Sequence, residues 1–540
     1  MNNYILKKLS VIKFIIFNLK KNFFLKKNQH RDSIILIEFN AFHIIHVVYS
    51  VICNFFYKSD KKYKIIAYYN YDVLITNLKK SLYNKFSWWL GKLFWINNFG
   101  IYKSFGVSEF IRPKLNIDHK SKVEKTILKI KKLSKNEILI LKLNGIKIGD
   151  LLYDTYIKKY ELVTIDLEDK KFYELCSDFF YMFYFWYDYL KNKNIKKIIG
   201  VHTVYSYALI LRIALSYKKE CLIVNDECIS RLSKKNYFAN SNFKSYSKKF
   251  LKLTSKLKKE GIKFSNEILK KRLKGYAGVK YDLISKKSSF HNKKNTRQIF
   301  KSSKLKVLVC TRNLFDAVHV FGEQLFVDNL EWLECLGSIS NNTDYDWYIK
   351  THRLYEGKFK KYQPKSNSTI NEIIKKYPKL KILNPNYSHR QIISEGINFV
   401  ITQHGSVGYE YAYLGIPVIN SSINNPQISY KFNINPKSKL EFIKKIKTLK
   451  NIKLSINKRD VIKFYFMRNI YQDKKWFFKD QTKLMKYIGG WDGKYSTRIY
   501  EYAVKYLNKK ENIKRIENNL KNFLKTNDHT ISIKHTLNEF

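Results

Sequence analysis

The chain has 540 residues, more than one ordinary core can serve, so two domains with appendages is the expectation. Hydrophobic residues make up 45% and aromatics 16%, which excludes a disordered chain and supplies sizeable cores. Its 102 Lys+Arg against 44 Asp+Glu leave a formal net charge of +58, pointing to a polyanion such as an anionic membrane face or a phosphorylated substrate. Lysine is spread along the whole chain together with Asn, Ile, Tyr and Phe, the residues of AT-rich codons, so compositional bias accounts for much of that charge. No nucleic-acid-binding motif accompanies it, and nucleic acid is not expected as a partner. Six cysteines without a CxxC pair read as reduced, buried thiols of a cytosolic protein, with no metal site and no cofactor implied.

Residues 1–30 form a basic leader, "MNNYILKKLSVIKFIIFNLKKNFFLKK", whose apolar runs are too short to span a bilayer. It predicts an amphipathic helix, either lying on an anionic membrane surface or packed on the core. "YNKFSWWLGKLFWINNFGIY" (83–102) repeats the theme.

After the leader, "SIILIEFN" (33–40) reads as a buried strand, "AFHIIHVVYSVICNFFY" as a helix and "YKIIAYY" (63–69) as a second strand. Further strands are predicted at "EILILKL" (137–143), "KKIIGV" (196–201) and "CLIVND" (221–226), with helical stretches between them. Residues 285–303 are polar and aperiodic and read as a linker. A second series follows: "KVLVCT" (306–311), a helix through "EQLFVDNLEWLECLGSI", "WYIKT" (347–351), "KLKIL" (379–383), "INFVIT" (397–402) and "IPVIN" (416–420). Alternation of strand and helix on both sides of a linker predicts an α/β fold of two Rossmann-like domains, at 31–284 and 304–494. The stretch 495–540 reads as a helical tail on the outside.

The stretch "NFVITQHGSVGYEYAYLGIPVIN" (398–420) is where chemistry is expected. A predicted strand ends at Gln403-His404-Gly405-Ser406 and a helix begins. In parallel α/β sheets, ligands bind beyond the carboxyl ends of the strands. Gly405 permits close backbone approach, Ser406 can cap the helix or meet a phosphate oxygen, and Glu410 one turn later can accept from a ribose diol.

The order of apolar strand, Gly-Ser, Glu and then Gly-Ile-Pro resembles the donor-nucleotide motif of GT-B glycosyltransferases. The segments "LNGIKIGDLLYDTYI" (143–157), "TRNLFDAVHVFGEQLFVDNLEWL" (311–333) and "WYIKTHR" (347–353) resemble surface (capsular) polysaccharide transferases of that fold. The likeness spans most of 137–420. It implies two Rossmann-like domains around a deep cleft, the N-terminal one holding a glycan or lipid-linked acceptor and the C-terminal one the nucleotide-sugar donor. It also implies work at the inner, cytoplasmic face of the cell membrane. "WYIKTHR" matches a Lys-x-His-Pro phosphate segment of sialic-acid- and Kdo-type transferases at Lys350 and His352, with Arg353 where the proline stands. Arg312, after the first strand of the second series, is a further phosphate contact by position. An inverting enzyme of this kind needs a base on the N-terminal domain, and Asp226, Glu227, Asp150 and Asp154 are the candidates. Asp344-Tyr345-Asp346 has the DxD spacing of metal-dependent transferases but precedes a predicted strand, so a solvated loop is expected there and no metal.

Overall fold

The computed structural model describes residues 2–21, 33–59, 63–75, 78, 82–94, 97–239, 241–276, 289–292, 295–352 and 363–537. The chain is α/β and folds into two compact Rossmann-like units. The first comprises 1–155, 166–239 and 472–539, the second 156–165 and 240–471. These boundaries differ from those expected at 285–303 and 494, since the helices between 246 and 273 pack on helix Lys458–Asn469 of the second unit and the chain from 472 onward packs in the first.

The first unit is built on a six-stranded sheet ordered β3-β2-β1-β6-β7-β8. Its strands are β1 (Ser33–Glu38), β2 (Tyr63–Tyr68), β3 (Glu109–Ile111), β6 (Ile195–Gly200), β7 (Glu220–Val224) and β8 (Ile229–Arg231). All neighbours run parallel except β8, which turns back on β7. β1 and β2 are apolar without alternation because helices cover both faces of the sheet. The predicted strand at 137–143 is not one. Ser134 and Glu137 form a capping box that starts a helix at Lys135–Leu139, and the remainder makes a small hairpin of β4 (Lys142–Leu143) and β5 (Ile146–Lys147).

Both termini join this unit's core. Helix Asn2–Lys20 buries Phe14 and Phe17, and the Phe14 ring stacks on Tyr500 at 4.8 Å between centroids. Tyr500 belongs to the tail helix Arg498–Leu507, and its hydroxyl meets His46 Nδ1 at 2.7 Å. Ile499, Ala503, Leu507, Leu520 and Phe523 are fully buried or nearly so, so the tail expected on the outside is core. Trp476 leads into it and donates to the Asn225 carbonyl at the end of β7.

The second unit holds a five-stranded, wholly parallel sheet ordered β11-β10-β9-β12-β13. The strands are β9 (Leu305–Cys310), β10 (Tyr345–Lys350), β11 (Leu380–Leu383), β12 (Phe399–Thr402) and β13 (Val418–Asn420). The helix expected through 323–339 begins only at Asn329, because Asp328 caps it by accepting from the Glu331 amide. Helix Ser255–Leu273 packs on Lys458–Asn469 through Gly261, where a β-carbon would meet the Phe466 ring at 2.4 Å.

Truncating Tyr500 removes the stack on Phe14 and strands the His46 imidazole. Tyr500→Ala should lower stability by about 3–5 kcal/mol, read as a shifted denaturant midpoint. A loss below about 1 kcal/mol would show the tail to be an accessory.

Candidate functional site

In the second unit the chain leaves β9 toward β10 and β11, then returns to β9's other side for β12 and β13. The connections therefore diverge between β9 and β12, which opens a crevice at the carboxyl ends of these strands. A cavity of about 410 Å³ lies there. Arg312 follows β9, Lys350 ends β10 with His352 two residues on, and His404, Gly405 and Ser406 follow β12; all six line the cavity. The six donor residues other than Glu410 are thus brought together.

Their setting is cationic. Arg312, Lys350 and Arg468 line the space, and no Asp or Glu is among its lining residues within the described part of the chain. Backbone carbonyls hold two of these cations in place. Lys350, only 4% exposed, donates to the Pro385 carbonyl at 2.6 Å, and Arg312 donates to the carbonyls of Asp316 and Ala317. A carbonyl contact orients a cation without cancelling its charge.

His404 is coupled to this group. Arg312 Nη1 lies 2.7 Å from its Nε2, and a guanidinium can only donate, so Nε2 accepts. Burial first, then the charges of Arg312 and Arg468, push the imidazole well below its ordinary 6.5. The ring is neutral with its proton on Nδ1, and that buried Nδ1 has no partner among the described residues. Gln403 Oε1 and Thr351 Oγ1, also in the lining, are buried without partners too. Such atoms are costly to leave unpaired and mark places for ligand groups. Gly405 sits where a β-carbon would meet Thr402 Oγ1 at 3.0 Å.

Glu410 is placed differently. It is 2% exposed, stands outside the cavity lining and accepts from Arg272 Nε at 2.5 Å. Ser406 Oγ donates to its other oxygen at 3.3 Å, and the serine makes no helix cap. Glu410 therefore braces the loop from behind, and the ribose role expected for it has no support in this geometry. Arg353 lies outside the described residues. Asp344 and Asp346 occupy the amino end of β10, the end opposite the cavity, where Asp344 pairs with Lys304 at 2.5 Å.

In the first unit the four expected base candidates are held in the structure. Asp226 pairs with Lys494 at 3.2 Å and Glu227 with the same ammonium at 3.3 Å, the aspartate and lysine both buried. Asp150 makes a two-pronged pair with Arg212, both bonds 2.6 Å. Asp154 is buried one turn further along helix Gly149–Tyr160. A carboxylate already neutralised by a cation is a poor proton acceptor.

Glu38 was not expected. It ends β1, and the connections of this sheet diverge between β1 and β6. One carboxylate oxygen accepts from the Val201 amide at 2.9 Å, just past β6, and the other from Asn40 Nδ2 at 2.6 Å and the Tyr71 hydroxyl. Burial raises it from 4.5 to about 7 against the lowering effect of the Val201 and Asn40 bonds. Nearby, Tyr205 carries φ 57° and ψ −169°, backbone that only glycine adopts without strain. The signal in the sequence was a lone acid closing an apolar strand. Arg468, on helix Lys458–Asn469, had no such signal, because nothing in its neighbourhood distinguishes it from other basic helix positions.

No family model matches the chain, and no curated protein matches it. Among solved structures it is similar to Thermosulfurimonas dismutans KpsC, beta Kdo 2,4 transferase, at 12% identity over 50% of this chain and 79% of that one, with a TM-score of 0.30. It is similar to a glycosyltransferase from Rickettsia africae ESF-5 at 11% identity over 82% and 94%, with a TM-score of 0.25. A UDP-GlcNAc 2-epimerase from Neisseria meningitidis bound to UDP-GlcNAc is similar at 9% identity over 88% and 99%, with a TM-score of 0.23.

Because Glu38 has its folded value raised, its stabilising contribution is complete below 4.5 and lost as pH rises through about 7. Wild-type stability should therefore fall relative to Glu38→Gln across that window, by on the order of 3 kcal/mol. Thermal unfolding of both proteins from pH 4 to 8 checks it, and parallel curves would mean Glu38 is ionised throughout.

Proposed function

We propose that the protein is a metal-independent glycosyltransferase that binds a nucleotide-sugar donor in the cavity of the second unit. The observation that carries this reading is the cavity itself: three cations and three unpartnered polar atoms at a strand-end crevice, without a carboxylate. Arg312, Lys350 and Arg468 suit a diphosphate, whose oxygens accept from fixed donors. Gln403, Thr351 and His404 Nδ1 offer the directional contacts that a base or sugar needs. The volume is that of a small-molecule site. The sugar comes from the resemblance of segments 143–157, 311–333 and 347–353 to capsule-type transferases and of 398–420 to the donor-nucleotide motif of GT-B glycosyltransferases.

In the reaction the acceptor hydroxyl oxygen bonds to the anomeric carbon while the bond from that carbon to the phosphate oxygen breaks. The electron pair leaves with the nucleotide, and the cations of the cavity stabilise the charge that develops there. Glu38 is the group we assign to take the hydroxyl proton, ahead of Asp226, Glu227, Asp150 and Asp154. Glu38 closes β1 where the connections diverge and burial raises it toward neutral pH, whereas Asp226, Glu227 and Asp150 are each held by a cation.

The acceptor is a surface glycan or lipid-linked glycan made at the cytoplasmic face of the membrane. Among the described residues no helix is long and apolar enough to cross a membrane. Two helices of the first unit nevertheless carry apolar stripes on their outer faces. Leu9, Ile12 and Ile16 form one, and Phe86, Trp89 and Leu93 with neighbouring Phe94 form the other, all more than two-fifths exposed. Exposed Lys8, Lys13, Lys20, Lys85 and Lys92 accompany them. An apolar stripe bordered by lysine is complementary to an anionic bilayer, and each lysine near the surface contributes about 1 kcal/mol. Phe14 and Phe17 face inward, so the leader docks and presents at once.

Calorimetry with a panel of nucleotide sugars should show Arg312→Ala, Lys350→Ala and Arg468→Ala each losing about ten- to a hundredfold in donor affinity, with Asp344→Ala unchanged. Turnover should require an acceptor; isomerisation of the donor without one would replace transfer with epimerisation. Glu38→Gln should keep donor affinity, lower turnover by about 10² and abolish the pH-rate limb near 7. A protein carrying Ile12→Ser, Ile16→Ser and Trp89→Ser should no longer sediment with anionic vesicles, and wild-type-like sedimentation would sink the membrane reading.

A further inference from the structure

The first unit contains a second cavity, also of about 410 Å³, formed by helices Asn2–Lys20, His43–Ser59, Arg498–Leu507 and Lys510–Leu524. It has two kinds of wall. Phe17, Val51 and Leu507 give it a floor from the unit's apolar core. Around the rim stand Lys21, Lys58, Lys510 and Lys514, with Glu517 as the one acid of the lining among the described residues. Glu517 is occupied by Lys58 at 2.7 Å. Lys21, Lys510 and Lys514 have no carboxylate partner among the described residues, so the rim carries three uncompensated positive charges. Such a clustering of like charge costs self-repulsion, which an anion would relieve.

An independent observation points into the same space. Asn54 lines the cavity from helix His43–Ser59, is 9% exposed, and its Oδ1 is buried without a hydrogen-bond partner. Whichever way the amide is turned, one polar atom is left for a group that enters. Water-soluble anions such as free phosphate have no use for the Phe17–Val51–Leu507 floor. An uncharged apolar ligand would leave the lysines and Asn54 unanswered.

We propose that this cavity binds a phosphate ester carried on an apolar chain, the phosphate held by Lys21, Lys510 and Lys514 and the chain lying on the floor. Asn54 meets a hydroxyl or an ester oxygen next to the phosphate. Two sources share this chemistry, an anionic phospholipid of the bilayer and an isoprenoid phosphate that carries the growing glycan. The helix that supplies Phe17 and is followed by Lys21 also presents Leu9, Ile12 and Ile16 outward, so a lipid headgroup at this place would be drawn from the same surface. The site is separate from the donor cavity, and its existence does not depend on the reaction assigned there.

The experiment uses the full chain and soluble short-chain probes: dioctanoyl phosphatidic acid, geranyl diphosphate, dioctanoyl phosphatidylcholine and inorganic phosphate, each titrated by calorimetry below its aggregation limit. Phosphatidic acid or geranyl diphosphate should bind at least tenfold more tightly than phosphatidylcholine and than inorganic phosphate. Preference for the first identifies a bilayer lipid, and preference for the second a lipid-linked acceptor. The pair Lys510→Glu and Lys514→Glu, at exposed positions that leave the core intact, should reduce that binding at least tenfold while nucleotide-sugar affinity stays unchanged. Asn54→Leu should weaken it less. Equal affinity for phosphatidylcholine, equal affinity for inorganic phosphate, or unchanged binding in the double variant would overturn the proposal, whether or not the donor cavity binds a nucleotide.

Discussion

A parallel strand covered by helices on both faces has no place for a charge except where it ends, and the chemistry of this protein follows from that constraint. β1 is Ser-Ile-Ile-Leu-Ile-Glu and β10 ends Trp-Tyr-Ile-Lys. In each, the charged residue falls at the carboxyl end, at the divergence point itself for β1 and one strand away from it for β10. Glu38 and Lys350 are both buried and both bonded to neutral groups: amide and hydroxyl donors for the acid, a carbonyl for the lysine. That choice of partner keeps one group able to change protonation and the other able to attract an anion.

Charges that serve the fold are treated in the other way. Arg212 with Asp150, Lys494 with Asp226 and Glu227, and Arg272 with Glu410 are ion pairs between elements far apart in the chain. Breaking one leaves a buried charge unpaired, a penalty of about 3–5 kcal/mol, so these residues are committed to structure. Lys494 ties the segment after 472 to the end of β7, and Arg272 fixes the back of the loop that presents His404 and Gly405. The ion pairs position the sites without belonging to them.

The two ends of the chain show the same economy of apolar surface. Helix Asn2–Lys20 buries Phe14 and Phe17 against the tail helices and leaves Leu9, Ile12 and Ile16 outside. A helix apolar on two faces satisfies one in the core and needs a second medium for the other. The lysines beside the outer face and around the second cavity are the ground on which an anionic bilayer is proposed as that medium.

All five strands of the second sheet, four of the six in the first and the loop at 403–406 were legible in the amino-acid sequence, because unbroken apolar runs bounded by helical stretches have one common solution, whereas β3 and the antiparallel β8, three residues each, were too short to stand out. Arg312 and His404 stood out by position, each two residues past a strand's carboxyl end, and Lys350 and His352 through the resemblance of 347–353 to a phosphate segment. The run 137–143 misled, since a capping box at Ser134 and Glu137 outweighed its β-like composition. What the sequence could not assign was partnership. Glu410, Asp226 and Asp150 look like free acids along the chain, and only folding brings Arg272, Lys494 and Arg212 from 138, 268 and 62 positions away to neutralise them. Glu38 looks like the end of a strand until Val201 and Tyr71 close around it. By itself the sequence determined where strands end and hence where ligands can approach, because that is a local matter of hydropathy. Only the tertiary structure decided which charges remain active there, because burial and pairing depend on neighbours that are remote in the chain.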